Sequence, residues 1–160
     1  MDEPNASPEV HPSLSVADVM NRRPVTIRED ADLLTAAELV ALTEANDLMV
    51  VDSAGHLVGV LAEGDILRRA LPDRQDVESY GGSLDAAYAL FLRRGRTMGE
   101  QPIAPLVIRA PVLVQPGDHV AKIAVLMVER HIRTLAVVEG GRLVGSVSRA
   151  DLCRAVVAGR

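Results

Sequence analysis

The sequence predicts an α/β fold in which two tandem β-α-β-β-α repeats pack about a pseudo-twofold axis, with a helical insert between them in the chain. The first observation is an internal duplication: residues 55–69 and 141–155 share six of fifteen residues at an offset of 86. The second is that the apolar pattern stays in step upstream of this match. The third is size, because one unit of about 55 residues buries too little apolar surface to be stable alone.

Each repeat opens with a short β-branched run behind a proline, which favours an extended chain. These runs are Val25–Ile27 and Val112–Val114. A helical pattern with apolar residues three and four positions apart follows each run, over residues 31–45 and 118–130. Asp30 or Asp32 is expected to cap the first of these helices, and Asp118 the second.

Two strands and a final helix complete each repeat. The strands are expected at residues 48–51, 57–61, 135–138 and 143–147. They are joined in pairs by DSAG and EGG, which are turn sequences suited to hairpins. The final helices begin near Glu63 and Arg149 and run to about Ala70 and Val157. A helix therefore starts directly behind the last strand of each repeat.

This pattern divides the chain into four segments. They are a disordered tail at 1–13, the first repeat at 14–71, a helical insert at 72–103 and the second repeat at 104–160. The tail is assigned from its polar, proline-bearing composition.

The insert contains a predicted helix over residues 83–94, with one apolar face. That face consists of Leu84, Tyr88, Phe91 and Leu92. The helix either packs against the module or against its copy in a dimer, or it serves as a partner-docking or ligand-gating element.

Composition excludes several classes of function. The 160 residues carry a net charge of −5 and three aromatic side chains, so no nucleic-acid partner is expected. The single cysteine, Cys153, excludes an internal disulfide, and the four histidines lack metal-ligand spacing, so no metal is expected. No apolar run approaches the ~18 residues that span a bilayer, and no signal peptide is found. A cytoplasmic protein without a membrane partner is therefore expected.

The last strand of the second repeat ends in residues suited to a nucleotide. Ser148 ends the strand, and Asp151 lies in the first turn of the following helix. A hydroxyl, free helix amides and the positive end of the helix dipole favour an anion there, while a carboxylate can accept two hydrogen bonds from a ribose diol. The alternative is that Ser148 or Asp151 only caps the helix. No catalytic arrangement is found, so no enzyme is expected.

The two units resemble a tandem pair of cystathionine-β-synthase (CBS) domains, also called a Bateman module. The matching segments are VADVMNRRPVTI (16–27), NDLMVVDSAGHLVGVLAEGDILRR (46–69) and HIRTLAVVEGGRLVGSVSRADLCRA (131–155). The resemblance implies a regulatory adenosine-containing ligand such as AMP, ADP, ATP or S-adenosylmethionine, and no required cofactor. It also implies a homodimer that modulates a protein effector, which the sequence does not identify.

Carried over to the second repeat, the resemblance assigns a phosphate contact to Ser148 and a ribose contact to Asp151. It places the basic Arg133 near the phosphate. The short helix that should precede the first strand of this repeat is expected to be shortened or shifted, because Pro105 lacks an amide proton.

In the first repeat the resemblance keeps the ribose position as Asp65, but Ala62 replaces the hydroxyl and Asp47 stands at the position aligned with Arg133. The hypothesis is that the second-repeat site binds phosphate better, and that the first-repeat site binds a nucleoside portion weakly or is empty. The apolar slot for the base is expected at Val25, Ile27, Val112, Val114, Val60 and Ser146, or else these side chains belong only to the core.

These features favour a regulatory module that binds an adenosine-containing ligand between its repeats and modulates a partner protein. The alternative is a ligand-free scaffold of the same fold that mediates dimerisation or protein–protein interaction.

Overall fold

The computed structural model describes residues 13–159, and both repeats have the expected order of strands and helices. The first repeat consists of α1 (Val16–Val19), β1 (Thr26–Arg28), α2 (Leu33–Thr43), β2 (Asp47–Val51), β3 (Leu57–Ala62) and α3 (Glu63–Ala70). The insert consists of α4 (Arg74–Ser79) and α5 (Leu84–Thr97). The second repeat consists of a 3₁₀ turn (Ala104–Leu106), β4 (Leu113–Val114), α6 (Val120–Glu129), β5 (Thr134–Glu139), β6 (Arg142–Ser148) and α7 (Arg149–Ala158). The predicted tandem α/β fold is confirmed, while the expected tail lies outside the described residues except for Ser13.

Each repeat contains one three-stranded sheet, and the strand register shows which residues of the two repeats are equivalent. β1 is parallel to β2 and β2 antiparallel to β3, and β4, β5 and β6 repeat this arrangement. Ile27 pairs with Val50 just as Val114 pairs with Val137, an offset of 87. After the hairpin the offset is 86, because the second turn is one residue shorter.

The segments that precede the first strands (residues 16–25 and 103–112, here the lead-in segments) cross to the opposite repeat. Asn21 exchanges two backbone hydrogen bonds with Ser146 of β6, at 2.8 and 2.9 Å. Ile108 does the same with Val60 of β3, at 3.1 and 2.9 Å. Each lead-in segment therefore extends the sheet of the other repeat, so the two halves of the chain are interlocked.

The glycines shared by the two hairpins, Gly59 and Gly145, explain how this crossing is possible. A Cβ on Gly59 would lie 2.5 Å from the Ile108 carbonyl oxygen, and one on Gly145 would lie 2.8 Å from that of Asn21. Any side chain would push the crossing segment off the sheet. The duplication of these glycines therefore has a packing reason.

The hydrophobic core has two lobes and a small centre. The fully buried Val16 of the first lead-in segment packs with the second repeat, and the fully buried Ile103 of the second packs with the first repeat. Between the sheets lies a third cluster that includes Met49, Val60 and Ala136. This central cluster holds the two sheets against each other at the pseudo-twofold axis.

One predicted helix cap is confirmed and one is wrong. Asp32 caps α2, because its Oδ1 accepts a hydrogen bond of 2.8 Å from the Thr35 amide. Asp118 does not cap α6, because its carboxylate accepts the Gln115 amide one turn earlier. The equivalent of Asp32 is His119, whose Nδ1 accepts the Ala121 amide at 3.1 Å.

The second lead-in segment is shortened as the sequence predicts. Where the first repeat has the helix α1, the second has a single 3₁₀ turn with proline among its first residues. The missing amide of Pro105 explains the difference, since the turn cannot begin a regular α-helical ladder.

The insert packs against the first repeat with a different face from the one expected. α5 contacts α3 and α4, and its most buried residue is Leu90, with Phe91 partly buried in the core of the first repeat. Leu84 and Tyr88, which were expected on the packed face, are 87% and 62% exposed. The contacts of the helix lie in its second half, where Arg94 pairs with Asp76 of α4 and the following Met98 is buried in the core of the first repeat, so the predicted face is not covered at its start.

Two candidate ligand clefts

Two clefts of about 520 and 640 Å³ lie at equivalent places between the repeats. We name them by the aspartate in the first turn of the helix that borders each. The Asp151 cleft is lined by side chains that include Val25, Glu44, Asp47, Ser146, Ser148 and Asp151. The Asp65 cleft is lined by side chains that include Val60, Ala62, Asp65, Val112, His131 and Arg133. Each cleft therefore takes its aspartate from one repeat, and from the other the residue just before the first strand, Val25 or Val112.

This crossed construction corrects the expected partners of the two aspartates. Arg133 was expected beside Ser148 and Asp151, but it lines the Asp65 cleft. The negative charge of Asp47 was expected to oppose a phosphate in the site of Asp65, but Asp47 also lines the Asp151 cleft. The alignment was also one residue out of register before the hairpin: Arg133 is equivalent to Asn46, and Asp47 to Thr134.

In the Asp151 cleft the two motif residues bind each other. The Ser148 hydroxyl and backbone amide both donate to Oδ2 of Asp151, at 2.7 and 2.9 Å. The Asp151 amide donates to the Ser148 hydroxyl oxygen at 3.1 Å, which completes a capping box at the start of α7. The second carboxylate oxygen, Oδ1, lies 3.7 Å from the Arg154 guanidinium. Asp151 is thus partly engaged as a cap, with Oδ1 left for a ligand hydroxyl.

A further hollow of about 490 Å³ lies beside the Asp151 cleft. It runs between α1 and α7 and shares Asp151 and Arg154 with that cleft. Asp18 of α1 lines its far side. The surface around Asp151 is therefore an open, branched groove with several carboxylates along it.

In the Asp65 cleft the start of the helix lacks a side-chain cap. Ala62 is in the extended conformation of an N-cap residue but has no oxygen to accept an amide of α3. Asp65 instead forms an ion pair with Arg68 one turn on. The first amides of α3 therefore remain without the side-chain partner that Ser148 gives to α7.

Arg133 links the repeats across the Asp65 cleft. Its Nη1 donates to Oε1 of Glu63 at 2.8 Å and to Oδ1 of Asn46 at 3.2 Å. Both contacts use the same nitrogen, and within the described chain they leave Nη2 and Nε free to donate. The side chain is 61% exposed, so the guanidinium lies where a ligand can reach it.

Asp47 lies between the two clefts and lines both of them. Burial raises the pKa of this carboxyl above its ordinary value, and the nearby Glu63 and Asp65 carboxylates add to the effect. A hydrogen bond with Thr134 and the charge of Arg133 act in the opposite direction on the pKa. An anionic ligand group near Asp47 would meet a carboxylate that is already poorly solvated.

The structure adds one equivalent pair that sequence reasoning missed, Glu44 and His131. Both residues follow a helix, both have a φ of +54°, and both line a cleft, Glu44 with Asp151 and His131 with Asp65. The left-handed conformation of Glu44 ends α2. At both positions it turns the backbone toward the strand that follows. The sequence signal that could have identified Glu44 and His131 is the end of a predicted helix just before a predicted strand.

The expected apolar slot is divided between the clefts and the core. Val25 and Ser146 line the Asp151 cleft, and Val112 and Val60 line the Asp65 cleft. Ile27 and Val114 line neither cleft, because they are 5% and 3% exposed within the cores of their repeats. Alternation along a strand would put residues two apart on one face, so it does not separate Val25 from Ile27. The difference arises because Val25 and Val112 precede β1 and β4 and end the lead-in segments, whereas Ile27 and Val114 lie within the paired strands.

The comparison with known families identifies the class of protein. The CBS domain model matches residues 16–71 and 103–158, most of the chain. The chain therefore belongs to the CBS domain family, and its two repeats form a tandem CBS pair. The uncharacterized protein MJ1426 of Methanocaldococcus jannaschii is 26% identical to it over 153 residues, covering 89% of this chain and 90% of that protein. Chloroplastic CBSX2 of Arabidopsis thaliana is 36% identical over 64 residues, which span only 27% of that protein.

Two solved structures have the same fold. CBSX2 in complex with AMP has a TM-score of 0.68 and 24% identity, covering 90% of this chain and 96% of that chain. The CBS domain pair of MJ0100 in complex with 5′-methylthioadenosine and S-adenosyl-L-methionine has a TM-score of 0.68 and 21% identity, covering 93% of this chain and all of that chain. Within residues 13–159, no helix is both long and apolar enough to cross a membrane.

Proposed function

We propose that this chain is a regulatory module that binds an adenosine-containing ligand, such as AMP, ADP, ATP or S-adenosylmethionine, in the clefts between its CBS repeats. The observation that carries the proposal is the doubled arrangement of Asp65 and Asp151. Each carboxylate lies in the first turn of a helix and lines a cleft that is also lined by an apolar residue just before a first strand, Val25 or Val112. A carboxylate can accept both hydroxyls of a ribose, while an apolar wall suits the face of a purine.

The size of the clefts supports this proposal. Volumes of about 520 and 640 Å³ fall in the range of small-molecule sites, roughly 300–1,000 Å³. Solved CBS pairs of the same fold hold AMP in one case and 5′-methylthioadenosine with S-adenosyl-L-methionine in another. The adenosyl group is the common chemistry of these ligands.

The regulatory part of the proposal rests on the construction of the clefts from both repeats. A ligand in either cleft contacts the helix start of one repeat and the helix end of the other, Glu44 or His131, so its binding energy depends on how the repeats are oriented. A ligand with different affinity for two orientations shifts the balance between them. We propose that a second copy of the chain or a partner protein reads this shift, and that the module acts by binding and not by catalysis.

The experiment is a thermal-shift and calorimetric series with AMP, ADP, ATP and S-adenosylmethionine on the wild-type chain and on Asp65→Ala, Asp151→Ala and the double variant. At 100 times its dissociation constant a ligand should add about 2.7 kcal/mol to the unfolding free energy of the wild type. The double variant should lose this gain. Asp85→Ala is the matched control, because Asp85 is also in the first turn of a helix but lines neither cleft.

The alternative function is a ligand-free scaffold, and one observation favours it. Ser148 and Asp151 satisfy each other in a capping box, which is a complete structural reason for both residues. If none of the four ligands stabilises the wild type, the scaffold is the better description and the adenosyl proposal is wrong.

A further inference from the structure

We propose, on the basis of the adenosyl function above, that the two clefts sort their ligands by charge: the Asp65 cleft takes a 5′-phosphorylated adenosine, and the Asp151 cleft takes an adenosyl compound without a phosphate. Arg133 is the residue that makes the difference. This assignment is the reverse of the one that the motif residues Ser148 and Asp151 favour.

The argument begins with the equivalent positions of the two clefts. Where the Asp65 cleft has Arg133, the Asp151 cleft has the neutral Asn46, and where the first has His131, the second has the acidic Glu44. These substitutions change charge on the same backbone framework. The clefts therefore differ in electrostatics more than in shape.

In the Asp65 cleft two carboxylates each have their own cation. Glu63 pairs with Arg133, and Asp65 pairs with Arg68. Because Arg133 uses only Nη1 in its contacts, its remaining nitrogens can bind a phosphate in the forked geometry that guanidinium groups favour. Asp47 is the third carboxylate of this cleft, so its lining carboxylates and arginines sum to a formal charge of −1, against −2 in the Asp151 cleft.

The start of α3 supports the same assignment. No side chain caps it, so the Asp65 amide lacks the partner that the Asp151 amide has in the Ser148 hydroxyl, while the Glu63 amide donates to the Asn46 carbonyl oxygen at 2.9 Å. An anion held by Arg133 beside α3 would also meet the Asp65 amide and the positive end of the helix dipole. An anion at α7 would have to displace an existing cap.

In the Asp151 cleft three carboxylates are accompanied by one arginine, whereas the three carboxylates of the Asp65 cleft are accompanied by two. Glu44, Asp47 and Asp151 line the Asp151 cleft, and Arg154 is the lining residue that carries a positive charge. Repulsion between like charges is strong in a partly desolvated groove, so a 5′-phosphate is disfavoured there. A ribose with an uncharged or cationic 5′ group avoids this repulsion.

The proposal is tested with AMP and adenosine, which differ only by the phosphate, titrated into variants that keep one cleft intact. In the Asp151→Ala background, Arg133→Asn installs the residue of the equivalent position. It should weaken AMP binding about 10- to 100-fold and leave adenosine binding nearly unchanged. Arg142→Asn is the matched control, because Arg142 is an exposed arginine that lines neither cleft. It should leave the ratio of AMP to adenosine affinity unchanged.

Two further variants keep the test decisive if Arg133→Asn does not fold. Arg133→Lys retains the charge but not the fork, and should reduce the AMP preference by a smaller factor. In the Asp65→Ala background, Asn46→Arg should give the Asp151 cleft a preference for AMP over adenosine. An unchanged AMP-to-adenosine ratio in all these variants overturns the charge sorting and leaves the adenosyl function intact. Failure of the wild type to bind either compound overturns the charge sorting, and the adenosyl function is overturned with it only if ADP, ATP and S-adenosylmethionine also fail to bind.

Discussion

The Asp151 and Asp65 clefts share one backbone plan and differ in the side chains that fill it. Both are bordered by a helix start with an aspartate, the valine that ends a lead-in segment and a helix end at φ +54°. Yet Ser148 is replaced by Ala62 and Asn46 by Arg133 between equivalent positions. The comparison teaches that a duplicated fold keeps the residues its backbone needs, while the cleft positions are free to acquire different chemistry.

Gly59 and Gly145 are the clearest residues of the first kind, and replacing them is expected to have the largest effect. Gly59→Ala would put a Cβ 2.5 Å from both the Ile108 oxygen and Val107 Cγ1, so we expect a loss of about 1–3 kcal/mol of unfolding free energy in a denaturant titration. Gly145→Ala should lose less, because one of its two nearest atoms is the flexible Met20 Sδ at 3.0 Å.

The control for the glycine pair is Gly95→Ala within α5, where a Cβ meets nothing within 4 Å. This variant should gain about 0.5–1 kcal/mol, because alanine is the better helix former. If Gly59→Ala proves as stable as the wild type, the crossing of the lead-in segments does not depend on close approach at this glycine.

The helix caps are a second way to test the difference between the repeats. Ser148→Ala should lower the unfolding free energy by about 1 kcal/mol, since the amides of α7 lose their partner. Ala62→Ser should raise it by a smaller amount, because Ala62 already has the extended backbone of a cap residue. Both unfolding free energies are measured by chemical denaturation, and changes of opposite sign in the two variants would sharpen the comparison. A stable Ser148→Ala protein would mean that the capping box contributes little.

The smallest effect concerns Asp47, the carboxylate shared by both clefts. Since burial raises its pKa in the folded state, the charged carboxylate costs stability at neutral pH, and this cost disappears as the pH falls through the folded pKa. Asp47→Asn should therefore be more stable than the wild type at neutral pH, with the difference shrinking in acid. Melting temperatures measured as a function of pH check this expectation.

Asp32 gives the control of opposite sign for Asp47. Hydrogen bonds from Thr35 lower its pKa, so its contribution to stability is present at neutral pH and is lost as the pH falls through the lowered folded pKa. Asp32→Ala should be less stable than the wild type at neutral pH, and that gap should close in acid. If the two variants showed the same pH dependence, burial would not be the cause of the Asp47 shift.

The duplication allowed much of the fold to be predicted. Strands and final helices were placed within one or two residues, because β-branched alternation, hairpin turns and helical spacing are local signals. The cap of α6 was missed because an aspartate is the usual capping residue, whereas the structure uses His119. The short helix α4 was missed because it has no apolar periodicity to reveal it, and none of its residues is buried.

The site was predicted only in part. Asp65, Asp151 and Ser148 were found because they repeat at a fixed offset behind a strand, and all three line a cleft. The partners of Asp151 were misassigned because each cleft combines residues of both repeats, so Arg133 of the second repeat lies with Asp65 of the first. The hairpin turn that is one residue shorter caused a separate error, the alignment of Arg133 with Asp47 instead of Asn46.

The sequence by itself determined the two repeats, the order of their elements and the aspartate at each helix start, because these follow from the local spacing of apolar, turn and capping residues. Only the tertiary structure decided which cleft each side chain enters. The lead-in segments cross, so each cleft combines the helix start of one repeat with the lead-in segment and helix end of the other. Pairing between distant segments depends on packing around Gly59 and Gly145. No local pattern in the chain encodes which repeat supplies the charged side chains of each cleft.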